Sequence, residues 1–354
     1  MTGTQTDEDA GALLRIAMAA AAEAGRLLAS WRGDERPEVV DTKSSPTDVV
    51  TEMDRRSEAL ITSRIRAHRP GDAVLGEEGG QTAGGPGGDG SDGGRPRRVR
   101  WVVDPLDGTV NYLYGLHDWA VSIAVEVDGA VVAGVVEVPR HGETFTAVAG
   151  QGAWLRRGEA RVALHCTSGV PLGQALVGTG FGYDSGRRQV QGEVIAALLP
   201  YIRDIRRGGS ASVDLCSVAA GRLDAFFERG LNYWDFAAGA LIAREAGAMV
   251  GGLAGQTEST SMAVAASRGL YQQLDTFLTR LNPERDAQRS QERDALASRE
   301  GQAPAGRVTS IGVPRVRSAT PRCQRSISGS WRSASRSPRR REVARPLPAS
   351  GSGR

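Results

Sequence analysis

The stretch WVVDPLDGTVNY, residues 101–112, joins an apolar strand to a turn that carries two acids. We predict that the strand ends at Asp104 and Pro105, because proline lacks a backbone donor and fixes φ. Asp104 and Asp107 flank the carbonyl group of Leu106. Functional groups collect at strand ends of layered α/β folds, so the stretch predicts both a fold class and a site.

The residues after Asp107 favour an anion site. Gly108 allows close approach of the backbone to a ligand, and Thr109 adds a hydroxyl group. A helical turn that begins near Thr109 would direct unpaired N–H groups outward, which suits a phosphate. Carboxylates repel a phosphate unless cations bridge them, and all-oxygen ligands favour Mg²⁺ over zinc or copper.

Two further segments place acids at the ends of elements. Glu77 and Glu78 follow a short apolar strand in AVLGEEGG, and Asp235 stands at the start of a helix in NYWDFAAGALIAREAGA. Any one aspartate taken alone is better explained as a helix cap. The combination of acids at several strand ends and helix starts is what indicates a site.

The composition is typical of a globular protein. A chain of 354 residues holds one large domain or two ordinary ones, with 40% hydrophobic and 24% charged residues. The first apolar run is interrupted by Arg15, Glu23 and Arg26, which predicts an amphipathic helix and not a secretory signal. No apolar run reaches the ~18 residues of a membrane span. Scattered cysteines, odd in number, favour a reducing, cytoplasmic compartment. They are Cys166, Cys216 and Cys323.

The net charge of +3 conceals a division of the chain. Residues 301–354 hold twelve arginines and one acid, which leaves −8 for residues 1–300. The pI near 8.9 therefore reflects one segment and does not indicate a nucleic-acid-binding domain. We interpret residues 283–354 as a disordered basic tail. The alternative, a basic arm that binds RNA or an acidic partner, has no defined motif.

Hydrophobic spacing predicts the elements of the first half. A helix is expected at the N-terminus, and a second helix should follow Thr47 with Ile61 and Ile65 on one face. The glycine-rich residues 79–98 predict a flexible loop. A hairpin is expected at 119–138, and ETFTAVAG with a second hairpin, QGAWLRRGEARVAL, extends that sheet. The N-terminal apolar positions are Leu13, Ile16, Leu27, Leu28 and Trp31.

Strands and helices alternate from Pro171 onward. The short strands ALVGTG, LDAFFE and MAVAA are expected among helices near residues 186–200, 210–221, 234–247 and 267–281. This alternation predicts a layered α/β second half.

Other catalytic schemes have less support. The chain lacks the G-x-S-x-G elbow of serine hydrolases and the G-x-x-x-x-G-K-[ST] phosphate loop. Its four histidines lack the spacing of metal ligands. GTGFG at 178–182 is an incomplete dinucleotide fingerprint.

Four segments together resemble the inositol monophosphatase family of Mg²⁺-dependent, lithium-sensitive sugar phosphatases. They are KSSPTDVVTEMD (43–54), GEE (76–78), WVVDPLDGTVNY (101–112) and WDFAAGALIAREAGA (234–248). The resemblance covers about residues 8–280 and implies a layered αβαβα fold. We therefore expect one catalytic domain over 1–282, with sub-domains at about 1–150 and 151–282.

The resemblance also implies a set of site residues. Metal ligands would be Glu77, Asp104, Asp107, Asp235 and the carbonyl of Leu106. Catalytic roles would fall to Glu77 and Thr109, which activate the attacking water, with Asp54 and Lys43 close to the metals. The substrate would be bound by Asp107, Gly108, Thr109, Ser210, Ala211, Glu228 and Asp235.

The implied reaction is hydrolysis of a small polyol phosphate, first of all myo-inositol 1-phosphate, without a phospho-enzyme. Two or three Mg²⁺ ions would serve, with Mn²⁺ as an alternative and Li⁺ as an inhibitor. Histidinol phosphate and fructose 1,6-bisphosphate remain open as substrates, whereas DGTVNY disfavours nucleotides and Glu228 favours a polyol. A homodimer is implied. A different class also stays open, a regulatory protein that contacts RNA or the transcription machinery through its basic tail.

Lys43 is the one lysine beside 43 arginines. A general bias towards arginine does not explain why this lysine lies in a segment that matches the family. An ammonium group is compact, whereas a guanidinium is a broad planar fork. We therefore predict that Lys43 contacts a carboxylate or a metal-bound water beside the acids.

Overall fold

The computed structural model describes residues 3–30, 39–42, 49–82 and 98–286. Helices α1 (Gly3–Ser30) and α2 (Glu52–His68) pack together on one face of a large sheet. Ile61 and Ile65 are fully buried there, as the spacing predicts. The buried face of α1 is mostly alanine, which lets the helix approach the strands closely. These alanines are Ala17, Ala20, Ala21 and Ala24.

The large sheet has eight strands in the order β10-β9-β8-β7-β6-β5-β3-β4, and all neighbours except β3 and β5 are antiparallel. A separate hairpin is formed by β1 (Val39–Thr42) and β2 (Val49–Thr51). The eight strands are β3 (Ala73–Gly76), β4 (Gly80–Thr82), β5 (Val99–Asp107), β6 (Ala120–Val127), β7 (Ala130–Val138), β8 (Glu143–Val148), β9 (Ala153–Arg157) and β10 (Ala160–Ala163).

A second sheet has five strands in the order β12-β11-β13-β15-β14. These are β11 (Leu176–Thr179), β12 (Asp204–Arg206), β13 (Ala225–Glu228), β14 (Met249–Gly251) and β15 (Ala263–Ala266). The remaining helices are α3 (Thr109–Tyr114), α4 (Ser185–Leu198), α5 (Ala211–Ala219), α6 (Tyr233–Glu245) and α7 (Arg268–Arg280).

The helices α5 and α6 lie between the two sheets. Ala238 of α6 belongs to a core with Val136 of the large sheet, while Leu215 of α5 packs with Phe226 of the small sheet. Helices α4 and α7 cover the outer face of the small sheet through a third core. The layers therefore run αβαβα, and the predicted fold class is confirmed. No helix in the described ranges is long and apolar enough to cross a membrane.

Two predictions need correction, and two short strands were missed. Strand β5 does not end at Asp104 and Pro105 but continues to Asp107, since the sheet tolerates a register irregularity between the two aspartates. Residues 80–82 of the predicted glycine-rich loop pair with β3 as strand β4. Strands β12 and β14 were not foreseen from the sequence because three residues give too little pattern. Trp31, Lys43 and the tail from residue 287 lie outside the described residues.

Candidate active site

Asp54 links the start of α2 to the start of α3. It is the third residue of α2, and its Oδ2 accepts hydrogen bonds from the Thr51 backbone N–H and hydroxyl, at 2.8 and 2.6 Å. The Thr109 hydroxyl lies 2.9 Å from the other oxygen, Oδ1. Full burial raises the pKa of Asp54 against these stabilising bonds. One carboxylate thus caps a helix and fixes a hydroxyl from another element.

The irregularity in β5 shapes the turn that carries the predicted metal ligands. Asp104 pairs with Ser122 and Asp107 with Ala120, so β5 uses one more residue than β6 over this interval. In a regular strand, residues three apart point to opposite faces of the sheet. The extra residue interrupts this alternation between Asp104 and Asp107. Both aspartates are buried.

The carbonyl of Leu106 lies between these aspartates, as predicted. It is 3.1 Å from the Thr109 hydroxyl, and the Leu106 N–H donates to Asp104 Oδ1 at 3.1 Å. Because a hydroxyl has one proton, Thr109 donates either to Leu106 or to Asp54 at a given moment. The contact of Thr109 with Asp54 is the shorter of the two.

Glu77 follows β3 directly and lies beside the end of β5. Gly76 is paired with Val103, and the Glu77 N–H donates to the Val103 carbonyl at 3.2 Å. Glu58 of α2 fixes the following turn, because its carboxylate accepts the N–H groups of Glu78 and Gly79 at 2.8 and 2.7 Å. Sequence reasoning missed Glu58, which no motif distinguishes from the other acids of α2.

Asp107 receives three hydrogen bonds on a single oxygen. Its Oδ2 accepts from the Ser210 hydroxyl at 2.6 Å, the Ser212 N–H at 2.7 Å and the Ser212 hydroxyl at 2.5 Å. Burial nevertheless raises the pKa of Asp107. Ser210 was predicted at the substrate wall, whereas Ser212 was missed although it repeats serine two residues later in GGSAS.

Asp235 belongs both to a helix cap and to the acid cluster. It is the third residue of α6, and its Oδ2 accepts the Asn232 N–H at 2.7 Å. Burial raises its pKa well above the usual range, and the carboxylates of Glu77 and Asp107 raise it further. Asp235 can therefore cap the helix and also bind a ligand, since Oδ2 accepts the Asn232 N–H and Oδ1 is not needed for that bond.

Glu228 and Asp214 extend the cluster towards the small sheet. Burial, followed by repulsion from neighbouring acids that include Asp107, raises the pKa of each to about 8. A side chain at Gly180 would lie 2.1 Å from the Glu228 carboxylate, so glycine is required at that position. Asp214, in the first turn of α5, was not predicted from the sequence.

Gly108 is held in a backbone conformation that favours glycine. Its φ is +91°, and a Cβ atom would lie 2.9 Å from the Asp118 carbonyl and 3.3 Å from that of Gly209. No side chain caps α3 at this residue. The Asn111 amide joins the two halves of the site by donating to the Asp118 carbonyl at 2.6 Å and to the Gly208 carbonyl at 2.9 Å.

The donor set of the cluster suits a hard divalent cation. It consists of carboxylate and carbonyl oxygens, and the raised pKa values of Asp107 and Asp235 come from burial and, at Asp235, from mutual repulsion that a cation would relieve. Within the described ranges, no three His, Cys, Asp or Glu side chains are already arranged as a metal-binding group. The fit thus rests on donor chemistry and electrostatics.

A sequence model of the inositol monophosphatase family matches residues 9–291. The chain belongs to the inositol monophosphatase family. It is 42% identical over 294 residues to the inositol-1-monophosphatase SuhB of Mycobacterium tuberculosis, covering 79% of this chain and 97% of that protein. It is 40% identical over 252 residues to the Nus factor SuhB of Pseudomonas aeruginosa, covering 70% and 87%. The solved structure of Mycobacterium tuberculosis SuhB aligns with a TM-score of 0.63 and 41% identity, over 77% of this chain and 98% of that one.

Membership of the inositol monophosphatase family confirms the predicted resemblance. The charges of Glu77, Asp107 and Glu228 raise the pKa of Asp235, so these predicted site residues lie in one region. The predicted cooperation of Thr109 with Glu77 stays a prediction, because the observed partners of the Thr109 hydroxyl are Asp54 and Leu106.

Proposed function

We propose that the protein is a Mg²⁺-dependent phosphomonoesterase that hydrolyses small polyol phosphates, with myo-inositol 1-phosphate as the first candidate. The observation that supports this most strongly is that acids from the end of β3, from β5 and from the start of α6 converge. The carboxylates of Glu77 and Asp107 are close enough to Asp235 to raise its pKa. Membership of the inositol monophosphatase family supports a phosphatase reaction independently.

The metals would be held by Glu77, Asp104, Asp107, Asp235 and the Leu106 carbonyl. When bound, Mg²⁺ lowers the pKa of a water molecule and stabilises the alkoxide that leaves phosphorus. We infer that Asp54 orients the Thr109 hydroxyl by accepting its hydrogen bond, which leaves the lone pairs of the Thr109 oxygen to align the attacking water with Glu77. Lys43 is proposed to lie close by.

The substrate would be oriented by groups from both halves of the site. The N–H groups of Gly108 and Thr109 are proposed to hold the phosphate, since no side chain caps that helix start. The polyol would meet Glu228, Ala211 and the hydroxyl of Ser210. Asp107 would serve both metal and substrate, because its Oδ2 is already held by the serines and Oδ1 would then be left for the cation and a substrate hydroxyl.

Phosphate release from a panel of esters tests this function. The full chain should hydrolyse myo-inositol 1-phosphate with Mg²⁺, less well with Mn²⁺, and not with EDTA, and Li⁺ should inhibit it. Histidinol phosphate and fructose 1,6-bisphosphate in the same assay distinguish the alternative substrates. Equal activity with EDTA and with Mg²⁺ would contradict the proposed metal dependence.

A second candidate function rests on the relatives that are named Nus factor. We propose that residues 301–354 bind RNA through their arginines, beside the phosphatase activity. Such binding should weaken steeply with salt and disappear when these residues are deleted. RNA affinity that the deletion leaves unchanged would contradict it. Homodimer formation, expected from the family, is measurable in the same preparations by light scattering.

A further inference from the structure

Arg207 lies beside the acid cluster on the connection between β12 and α5. Its guanidinium covers Gly209, because a Cβ atom there would lie 2.4 Å from Arg207 Nη1 and 2.9 Å from the Asn111 amide nitrogen. The Gly209 carbonyl in turn faces Gly108, the proposed phosphate-binding residue. Gly209 has a φ of +94°, a backbone conformation that favours glycine. Glycine at this position leaves room for the guanidinium of Arg207.

The side chain of Arg207 is accessible to a ligand from solvent. The side chain is exposed, and within the described part of the chain no carboxylate forms an ion pair with it. Its neighbour Arg206 differs, since Arg206 Nη1 donates to Asp204 Oδ2 at 2.6 Å on the same strand. Arg206 is therefore paired on the strand, whereas Arg207 lies beside the glycine that faces the site.

The field of Arg207 reaches the substrate side of the site. It opposes the burial and the acid repulsion that raise the pKa values of Glu228 and Asp214. Gly209, which the guanidinium covers, directly precedes Ser210 and Ala211 at the proposed polyol wall, so the guanidinium lies beside the place proposed for the alcohol portion of a substrate. An arginine binds phosphate and carboxylate groups through a planar pair of donors, which gives both affinity and orientation.

We propose that Arg207 is a specificity-determining residue that binds a second anionic group on the alcohol portion of the substrate. This inference rests on the proposed phosphatase function and extends its substrates from polyol monophosphates to esters that carry a second phosphate or a carboxylate. Arg207 acts on substrate affinity and orientation, whereas the chemistry at phosphorus belongs to the acids around Asp107.

Two substrates that differ only in the second phosphate give the sharpest test. Phosphate release is measured with fructose 1,6-bisphosphate and with fructose 1-phosphate for the wild type, Arg207→Gln and the matched control Arg206→Gln, all with Mg²⁺. We expect Arg207→Gln to lower kcat/KM for the bisphosphate about tenfold or more, mainly through KM. It should leave kcat/KM for fructose 1-phosphate within about threefold. Arg206→Gln should change neither.

Two results would overturn the inference. One is an equal loss on both substrates, which would assign Arg207 to general charge balance. The other is no loss on the bisphosphate. If the wild type releases no phosphate from any ester, the phosphatase proposal fails, and calorimetric binding of the same two sugar phosphates then tests Arg207. A bisphosphate that binds equally to the wild type and Arg207→Gln would overturn the inference there too.

Discussion

Asp54 and Asp107, which lie beside the end of β5, and the acids beside the small sheet are held differently. Asp54 and Asp107 each accept several hydrogen bonds from backbone and hydroxyl donors. Glu228 accepts none within the described residues, and burial raises its pKa to about 8. The first group is oriented in advance, whereas the second depends on charge that a ligand would bring.

This difference separates two tasks within one site. Buried carboxylates that are fixed by donors need little reorganisation when a cation binds, which is the condition for strong electrostatic stabilisation. Burial raises the pKa values of Glu228 and Asp214 to about 8, so these acids retain a proton at neutral pH that they can donate to substrate hydroxyl groups. We therefore expect substitutions in the first group to affect turnover most and those in the second group to affect specificity and pH dependence.

The largest effect should follow Asp104→Asn. Removing a charge that we propose is shared between the metals should lower turnover at least ~100-fold, on the scale of ~3 kcal/mol. Phosphate release at saturating Mg²⁺ measures it. The control is Glu159→Gln, which removes an exposed acid in the turn between β9 and β10, outside the cluster, and should leave turnover unchanged. Near-normal turnover in Asp104→Asn would remove Asp104 from the metal site.

A smaller loss is expected for Thr109→Val. The change removes the hydroxyl that lies 2.9 Å from Asp54 while keeping a branched side chain. The loss in kcat should be about 100-fold with KM nearly constant, since alignment of the water acts on the chemical step. Thr109→Ser keeps the hydroxyl and should retain most activity. If Val and Ser reduce kcat alike, the role of the hydroxyl is structural.

The sequence predicts elements and the ends of elements better than it predicts partners. Acids at the ends of β3 and β5 and at the start of α6 were identified because local patterns bound those elements. The alternation of strands and helices after Pro171 indicated a layered α/β arrangement, whereas the full αβαβα order came from the resemblance to the family. The buried face of α1 was predicted only in part. Leu13 and Leu28 lie in it as expected, whereas its alanines were missed because they lack the hydrophobic contrast on which such patterns depend.

The unpredicted parts of the site depend on contacts between distant segments. Ser212 meets Asp107 across 105 positions of sequence, and Glu58 meets Glu78 across 20. Neither contact has a local signature, since Ser212 and Glu58 are ordinary polar residues of helices. The continuation of β5 past Pro105 was missed for a related reason, because it depends on pairing with β6, against which β5 carries one extra residue.

The serine contacts of the first group are tested by a matched pair of buried hydroxyls. Ser212 donates to Asp107, whereas the Ser122 hydroxyl has no partner among the described residues. Ser212→Ala should lower the free energy of unfolding by about 1–2 kcal/mol, because a hydrogen bond to a buried carboxylate is lost. Ser122→Ala should cost little. Urea denaturation in EDTA measures both, and equal costs would mean that the bond to Asp107 contributes nothing.

The smallest effect concerns the second group and its dependence on pH. Asp214 has a pKa of about 8, raised by burial and by Asp107 and Asp118 and lowered in part by Arg207. Because this pKa lies above the ordinary value, the folded state binds the proton more tightly. The contribution of Asp214 to stability is therefore complete below about pH 4 and is lost as pH rises towards 8.

Asp214→Asn removes this titration while keeping an acceptor for the Gly208 N–H. Relative to the wild type, the variant should gain about 1 kcal/mol or more in free energy of unfolding between pH 5 and pH 8. Denaturation in EDTA at both pH values measures the gain without competition from cations. Asp224→Asn, at a partly buried acid that accepts the Leu176 N–H, is the control for loss of an acid elsewhere. The difference in free energy of unfolding between Asp214→Asn and the wild type could instead be the same at both pH values. That result would show that Asp214 is already ionised at pH 5, and the contrast between the two groups of acids would not extend to this residue.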